Sequence, residues 1–250
     1  MRTKDLVRIC TEAIPEKIGC WQGEQYGAYN LGLLKNVKRA LYCVTPTPEV
    51  VSYFKQKGYD ILISHHPFRV TVPQLIFHTA LDCCEGGLND MWRDHLGIKN
   101  AQHFDSTLGW HGQIDPIAFD DLLAKVREFS GQIIGEVYSR LDTIESVVVC
   151  SGLGGLVVDD AFRSGADCYI FGEGMGRNTK FEASIEIGHT LSERMGVELF
   201  RKLLQPHGVQ VDLVPLALDY FSSEIASGYA DTDSDLEYDD YNLTPARATW

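Results

Sequence analysis

The hydrophobic and polar positions of this chain predict short strands that alternate with helices. Short runs rich in apolar residues, bounded by turn residues, are typical of strands in a largely buried sheet. These runs are Arg39–Val44, Ile61–Ser64, Gln74–Phe77, Glu136–Ser139, Ser146–Cys150 and Cys168–Phe171, and Val209–Val214 alternates like a final strand. The pattern therefore predicts an α/β fold.

Capping residues and helical spacing predict the intervening helices. Thr47-Pro48 starts a predicted helix that Gly58 ends, so the flanking strands form a βαβ unit with parallel strands. We predict further helices at residues 4–14, near Trp92, from Asp115-Pro116 to Gly131, at Val157–Arg163, and after His189, where Leu191, Met195, Leu199 and Leu203 form one buried stripe. Residues 20–34 and 95–112 are rich in glycine and predict loops.

The end of the helix near Gly131 suggests a domain boundary near residue 128. Residues 1–128 then form a first α/β domain, completed by about residues 200–220, and residues 129–199 form a second. Residues 222–250 carry seven acidic side chains and the single base Arg247, a composition that predicts a disordered acidic tail.

Composition narrows the class of protein. A chain of 250 residues with 44% apolar content can bury a sizeable core, and its net charge of −13 argues against nucleic-acid binding. Seven cysteines without C-x-x-C spacing predict neither a disulfide framework nor a structural zinc site. No apolar run is long enough for a signal peptide or a membrane span, so we expect a cytoplasmic protein without membrane partners.

The candidate chemistry lies at three predicted strand ends. His65 and His66 follow one strand, His78 and Asp82 follow another, and His189 with Glu193 follow the run ending at Ile187. Ligands bind at the carboxyl ends of strands in open α/β sheets, and imidazole is the commonest metal ligand. Alternatively, the His-His pair lies at the end of a strand without binding anything.

Two further motifs have competing interpretations. Thr190-x-x-Glu193 is also a capping box, in which Glu193 would bond to the Thr190 amide instead of a metal. The turn Gly152–Gly155 follows a strand, but Val157 occupies the third glycine position of a dinucleotide fingerprint. We therefore interpret it as a tight turn that lets a helix pack closely.

If the three strand ends meet, they form an imidazole–carboxylate set large enough for two divalent ions. Such nitrogen and oxygen ligands suit zinc, iron, manganese or nickel, and the sequence does not choose among them. In a two-metal site, ions ~3.5–4 Å apart activate a water and polarise the substrate oxygen.

These segments resemble three motifs of the NGG-one-interacting factor three-like family, often labelled GTP cyclohydrolase type 2-like. The matching motifs are His65-His66-Pro67-Phe68, His78-Thr-Ala-Leu-Asp82 and Gly188-His-Thr-Leu-Ser-Glu193, with Val147–Gly155, Gly165–Asp167 and Tyr169–Glu173 between them. The resemblance runs from about residue 4 to about residue 218.

The resemblance implies metal ligation by His65, His66, Asp82, His189 and Glu193. It places His78 and Glu173 at or beside the site, where we predict that they support the ligands from outside or act as catalytic groups in proton transfer. It further implies two facing α/β domains with mixed sheets, a metal site in the cleft between them, and a homo-oligomer, in many relatives a hexamer.

The chain also departs from the family pattern. Only 15 residues separate His66 from Asp82, fewer than in typical members, and Trp21-Gln22-Gly23 replaces a Trp-Asp-Asn segment. Thr45 stands where many members carry aspartate.

Two classes of function follow. The first is a metal-dependent hydrolase, in which a metal-bound hydroxide attacks a small-molecule substrate such as a purine ring, a phosphoester or an amide. The second is a non-catalytic binding or regulatory protein, an oligomer that metals stabilise. The sequence contains no P-loop for a nucleotide triphosphate.

Overall fold

The structure, a computed structural model, describes residues 1–19, 21, 23–104, 107–174 and 181–220, which form two mixed sheets flanked by helices. The strands are β1 Gly27–Tyr29, β2 Arg39–Cys43, β3 Ile61–Ser64, β4 Gln74–Ile76, β5 Lys99–His103, β6 Trp110–Ala118, β7 Val137–Ser139, β8 Thr143–Leu153, β9 Cys168–Glu173, β10 Ala183–Glu186 and β11 Gln210–Leu213. The helices are α1 Thr3–Ala13, α2 Pro48–Lys57, α3 Thr79–Cys83, α4 Leu88–Leu96, α5 Phe119–Ser130, α6 Val158–Ser164, α7 His189–Glu193 and α8 Val197–Leu204. The α/β class predicted from the sequence is confirmed.

The first sheet has the strand order β1-β4-β3-β2-β11, and all neighbours except the β1–β4 pair are parallel. The predicted βαβ unit is present. Thr47 accepts a hydrogen bond from the Val50 amide at 3.1 Å, and Gly58 ends α2 in the left-handed region. All four residues of β3 are buried, so the apolar run leads directly to His65.

The second sheet has the order β5-β6-β8-β9-β10-β7. Its central strands β8, β9 and β10 are parallel, and antiparallel strands complete both edges. In each sheet, therefore, the parallel strands bring their carboxyl ends to one edge, where the sequence places its candidate ligands.

The prediction of a loop over residues 95–112 was wrong. The segment contains β5 and the start of β6, whose exposed and half-buried positions lack the apolar pattern that reveals a strand. The helix start predicted at Asp115-Pro116 was also wrong, because both residues lie in β6 and α5 begins at Phe119. Pro116 lies within an irregularity of register between Gln113 and Ile117, where a strand tolerates a missing N–H.

Strands β5 and β6 also affect the domain division. They precede residue 128 but belong to the second sheet, so sheet membership changes between the end of α4 and the start of β5. The division into residues 1–128 and 129–199 remains a prediction. The acidic tail at 222–250 lies outside the described residues.

Two segments cross between the cores that the sheets form. Leu191 packs in the core of the second sheet, whereas Leu199 packs in that of the first. The predicted single stripe after His189 therefore serves both cores, and a 3-10 turn at Arg194–Gly196 separates α7 from α8. In α4, Leu88 packs in the core of the first sheet and Trp92 in that of the second. These segments hold the two sheets together around Glu193.

None of the helices in the described part of the chain combines the length and apolar character that a membrane span requires.

Candidate metal centre

The predicted ligands meet between the two sheets. His65 and His66 follow β3, Asp82 lies in α3 just after β4, and both His189 and Glu193 belong to α7, which follows β10. All five side chains are nearly or fully buried. The expectation that the three strand ends come together is thus met by the structure, although their roles as ligands remain a prediction.

Glu193 lies at the centre of this set. Its Oε1 is 3.3 Å from both His65 Nε2 and His189 Nε2, and its Oε2 is 3.4 Å from His66 Nε2. His66 Nε2 and His189 Nε2 are 3.1 Å apart, and Asp82 Oδ2 is 3.8 Å from His65 Nε2. One carboxylate therefore faces three imidazoles, with a different oxygen toward each of the paired histidines.

The capping-box alternative for Glu193 is not realised. Helix α7 begins after Gly188, and no side chain caps its first turn. The Glu193 carboxylate instead points among the histidines, and its backbone carbonyl accepts a hydrogen bond from Tyr42 at 3.2 Å. Gly152 gives this carboxylate room, since it has a φ of 62° and a Cβ there would collide with Glu193 Oε1.

Each imidazole turns Nε2 toward the centre because its Nδ1 has a fixed partner. His65 Nδ1 bonds the Phe77 carbonyl at 3.2 Å, and His66 Nδ1 bonds Thr45 Oγ1 at 2.9 Å. His189 Nδ1 bonds Glu173 Oε1 at 2.8 Å. Metal-binding histidines characteristically have such partners, which fix the tautomer and orient the ring.

Asp82 is held from the second sheet. Ser151, in β8, donates a hydrogen bond to Asp82 Oδ1 at 3.1 Å, and Asn89 bonds the Asp82 carbonyl at 3.2 Å. Asn89 also accepts from the Ser151 amide at 2.9 Å, so the two residues form a connected pair. The contact leaves the other Asp82 oxygen facing His65.

The electrostatics of the histidines differ with their neighbours. Burial disfavours charge on His65, but Glu193 and Asp82 outweigh it and raise the pKa of His65 to about 9. At His189 burial again opposes charge, and Glu193 nonetheless raises the pKa to about 10. Burial prevails at His66, whose pKa falls to about 3. Two of the three imidazoles are therefore positively charged at neutral pH, unless a metal displaces the second ring proton of each.

The carboxylates are also perturbed. Burial raises the pKa of Asp82 to about 6. Burial would likewise raise the pKa of Glu193, but the charges on His189 and His65 outweigh it and hold that pKa well below its ordinary value. Clustered titratable groups shifted in opposite directions are typical of functional sites.

The donor set fits divalent transition metals. Three groups each place their ligand atoms within 4.8 Å of one another: His65, His66 and His78; His66, His189 and Glu193; and His65, Asp82 and Glu193. Among the described residues, buried His65 Nε2 and Glu193 Oε2 have no hydrogen-bond partner. Buried polar atoms are normally satisfied, so a cation between them would supply the missing interaction.

A pocket of about 290 Å³ opens beside the ligands. Its described lining contains both polar and apolar residues: Trp21, His66, Pro67, Phe68, His78, Thr79, Asp82, Leu108, Cys150, Ser151, Leu153, Leu156, Glu173, His189 and Glu193. Glu173 and His78, for which we predicted proton transfer, both reach this pocket, and that role remains a prediction.

The sequence did not indicate several residues that support the site. Glu24 accepts hydrogen bonds from His78 and Thr79, although 54 residues separate it from His78. Asp219 accepts from the Val44 amide at 3.0 Å, from the Thr45 amide at 2.9 Å and from Arg194 at 2.9 Å. No local spacing connects residues so distant in sequence. Thr45 was noticed only as a departure from a family pattern.

Comparison with known proteins gives a family and a fold. A protein of Methanothermobacter thermautotrophicus named GTP cyclohydrolase 1 type 2 homolog is 29% identical over 172 residues, which cover 63% of this chain and 71% of the relative. The structure of reduced HcgD from Methanocaldococcus jannaschii has a TM-score of 0.71 at 19% identity and covers 85% of this chain and 97% of its own.

A Bacillus cereus protein related to NIF3 has a TM-score of 0.72 at 15% identity, covering 89% of this chain and 99% of its own. At these identities the solved structures establish the shared fold alone. The sequence profile of the family described as Duf34/NIF3 (NGG1p interacting factor 3) matches residues 1–76 and 71–219, nearly all of the described chain. The chain therefore belongs to the Duf34/NIF3 family.

Proposed function

We propose that this protein is a metal-dependent hydrolase whose site holds two adjacent divalent ions. The observation that carries the proposal is the position of Glu193, with Oε1 3.3 Å from His65 Nε2 and Oε2 3.4 Å from His66 Nε2. Since three imidazoles face its two oxygens, this carboxylate would be shared by two ions.

Each ion would have its own ligands besides the shared Glu193. His65 and Asp82 would hold one, and His66 and His189 would hold the other. The histidines bind as neutral ligands, so the two carboxylates only partly neutralise two divalent ions. The loaded site would keep a net positive charge, which favours an electron-rich substrate oxygen.

The bound ions would supply an acidified water and a polarised substrate oxygen. The side chains of the protein must then position the substrate and transfer protons. Glu173 ends β9 at the wall of the pocket, and its side chain remains 38% exposed while one oxygen bonds His189. Its carboxylate can accept a proton in the pocket and return it to a leaving group.

The pocket favours a small substrate with an apolar part. Among the described lining residues there is no lysine or arginine, while Phe68, Leu108, Leu153 and Leu156 form apolar walls. The described lining residues therefore offer no cationic side chain to bind a triphosphate. The names of the relatives support purine ring opening as one reaction to test, and a phosphomonoester or an aryl amide are the others.

Hydrolysis by the metal-loaded protein tests the proposal. We would assay GTP, guanosine, an aryl phosphate and an aryl amide with zinc, iron, manganese or nickel, and compare the wild type with Glu193→Gln. We expect turnover that needs metal, is abolished in Glu193→Gln, and persists in the control Glu198→Gln, whose side chain is 53% exposed on α8.

Full metal loading without turnover of any of these compounds would contradict a hydrolase of these classes. The non-catalytic alternative, a homo-oligomer that metals stabilise, predicts a different result. Metal removal would then change the assembly state, measured by light scattering, in the wild type but not in Glu193→Gln.

A further inference from the structure

A hydrogen-bonded cluster connects the segment before β1 to the start of α3. Glu24 Oε2 accepts from His78 Nδ1 at 2.8 Å. Glu24 Oε1 accepts from the Thr79 amide at 3.1 Å and from the Thr79 hydroxyl at 2.6 Å. Trp21 lies edge-on to the His78 ring with the centroids 5.2 Å apart. The side chains of Glu24 and His78 are only 11% and 13% exposed.

This cluster determines which nitrogen of His78 carries the proton. An ionised carboxylate only accepts hydrogen bonds, so Nδ1 carries a proton, and in the neutral ring the lone pair lies on Nε2. The His78 ring is 5.1 Å from that of His65 and 5.7 Å from that of His66, centroid to centroid. Ligand atoms of these three histidines all lie within 4.8 Å of one another.

We propose that Glu24 is a positioning residue that makes His78 an additional ligand of the metal centre. The arrangement repeats what holds the other imidazoles, since His65, His66 and His189 likewise bond a fixed partner through Nδ1. The inference rests on the metal centre of the proposed function but does not require hydrolysis.

The geometry accounts for glutamate at position 24. Both of its oxygens accept hydrogen bonds, one from His78 and the other from Thr79. Glutamine has the same length but offers one carbonyl oxygen, so its amide N–H would face a donor on one side. Aspartate is shorter by one methylene. The negative charge also strengthens His78 as a ligand, because a carboxylate partner makes Nε2 more basic.

The proposal changes the predicted role of His78. An imidazole with Nδ1 on a carboxylate and Nε2 on a metal has no nitrogen left to transfer protons to a substrate. His78 would then be part of the metal site, and Glu173 would be the remaining candidate for proton transfer.

Cobalt-substituted protein provides a direct test, with proton NMR in water detecting the exchangeable N–H of each imidazole bound to Co²⁺. We expect four such resonances, from His65, His66, His78 and His189. His78→Ala should lose one of them. Glu24→Gln should shift or broaden the same one, while the matched control Glu12→Gln, on the exposed side of α1, should leave all four unchanged.

Metal affinity provides the second measurement. Glu24→Gln should weaken cobalt binding by about 10-fold or more, the usual effect of removing an outer partner. In the His78→Ala background, Glu24→Gln should cause no further loss, because Glu24 acts through His78. A purely structural role for Glu24 would give additive losses and would overturn the proposal.

Three imidazole resonances in the wild type would also overturn it, and so would unchanged affinity in Glu24→Gln. Circular dichroism of the metal-free variants verifies that they are folded. Four resonances in a protein without turnover would contradict the hydrolase proposal and leave the role of Glu24 standing.

Discussion

The two sheets hold the histidines that face Glu193 in different ways. On the first sheet, His65 and His66 are almost completely buried, and their Nδ1 atoms bond a backbone carbonyl and a threonine hydroxyl. On the second, His189 is 11% exposed and bonds Glu173, which is itself 38% exposed at the pocket.

This difference suggests a division of work. Uncharged, buried partners hold an imidazole in place without offering a proton to the pocket, whereas an exposed carboxylate can do both. We infer that the first sheet chiefly binds metal, and that the second also supplies proton transfer. Glu193 contacts the histidines of both sheets, so it connects the two parts of the site.

Replacement of Glu193 should have the largest effect. Glu193→Gln removes the charge and leaves only one oxygen for two positions, so metal affinity should fall by more than about 100-fold, beyond the effect of any outer partner. Isothermal titration with zinc measures it. Equal affinity in Glu193→Gln and in the exposed control Glu198→Gln would refute the central position of Glu193.

The effect of pH on metal binding should separate the histidines. His65 and His189, with pKa values raised to about 9 and about 10, are protonated at pH 7 without metal, whereas His66, with its pKa lowered to about 3, is neutral. Metal binding requires neutral imidazoles, so loading at pH 7 should release about two protons, and affinity should rise with pH.

Titration in two buffers of different ionisation enthalpy measures this release. Identical heats in both buffers would show that His65 and His189 bind metal without losing protons, contrary to the expected electrostatics.

Asp219 should stabilise the packing of the segment that follows Glu193 against the end of β2. It accepts from the Val44 and Thr45 amides, beside the first group of histidines, and pairs with Arg194, which follows Glu193. Asp219→Ala leaves a buried cation unpaired and should lower the free energy of unfolding by about 3 kcal/mol. Urea denaturation measures the loss.

Two controls accompany the Asp219 variant. Asp115→Ala removes a carboxylate that is 84% exposed and should cause no measurable change. We predict that deletion of residues 223–250 leaves folding nearly unchanged. This deletion tests whether the residues after Asp219 also contribute to the free energy of unfolding. A variant Asp219→Ala as stable as the wild type would contradict the role assigned to it.

The outer partners should give the smallest effects and the sharpest contrast. Thr45→Val and Glu173→Gln should each weaken metal binding by about 10-fold. Only Glu173→Gln should also change the pH profile of turnover at saturating metal, because only Glu173 is proposed to transfer protons. Identical pH profiles for the two variants would contradict the inference that only the second sheet supplies proton transfer.

The sequence predicted the fold class, and the side chains it proposed as ligands meet between the two sheets, although their role as ligands remains a prediction. The run Ile61–Ser64 is buried on both faces and leads directly to two histidines, so local pattern and function coincide there. In the second sheet, β5 and β6 escaped prediction because strands whose side chains are mostly exposed or half-buried carry no apolar pattern. Such strands are defined by their pairing with neighbouring strands.

The supporting residues were missed for a related reason. Glu24 and Asp219 act across the folded structure on His78 and Thr45, and neither belongs to a motif with fixed spacing. A short motif records which side chains meet at one turn or strand end. It does not record which distant side chain fixes the orientation of a ligand.

The metal content of the chain tests the central claim most directly. After loading with zinc, iron, manganese or nickel and removal of free metal, elemental analysis should give about two ions per chain for the wild type. Glu193→Gln should give markedly fewer. A wild-type ratio of one would contradict a centre of two ions bridged by Glu193, and a ratio near zero with all four metals would contradict the metal centre itself.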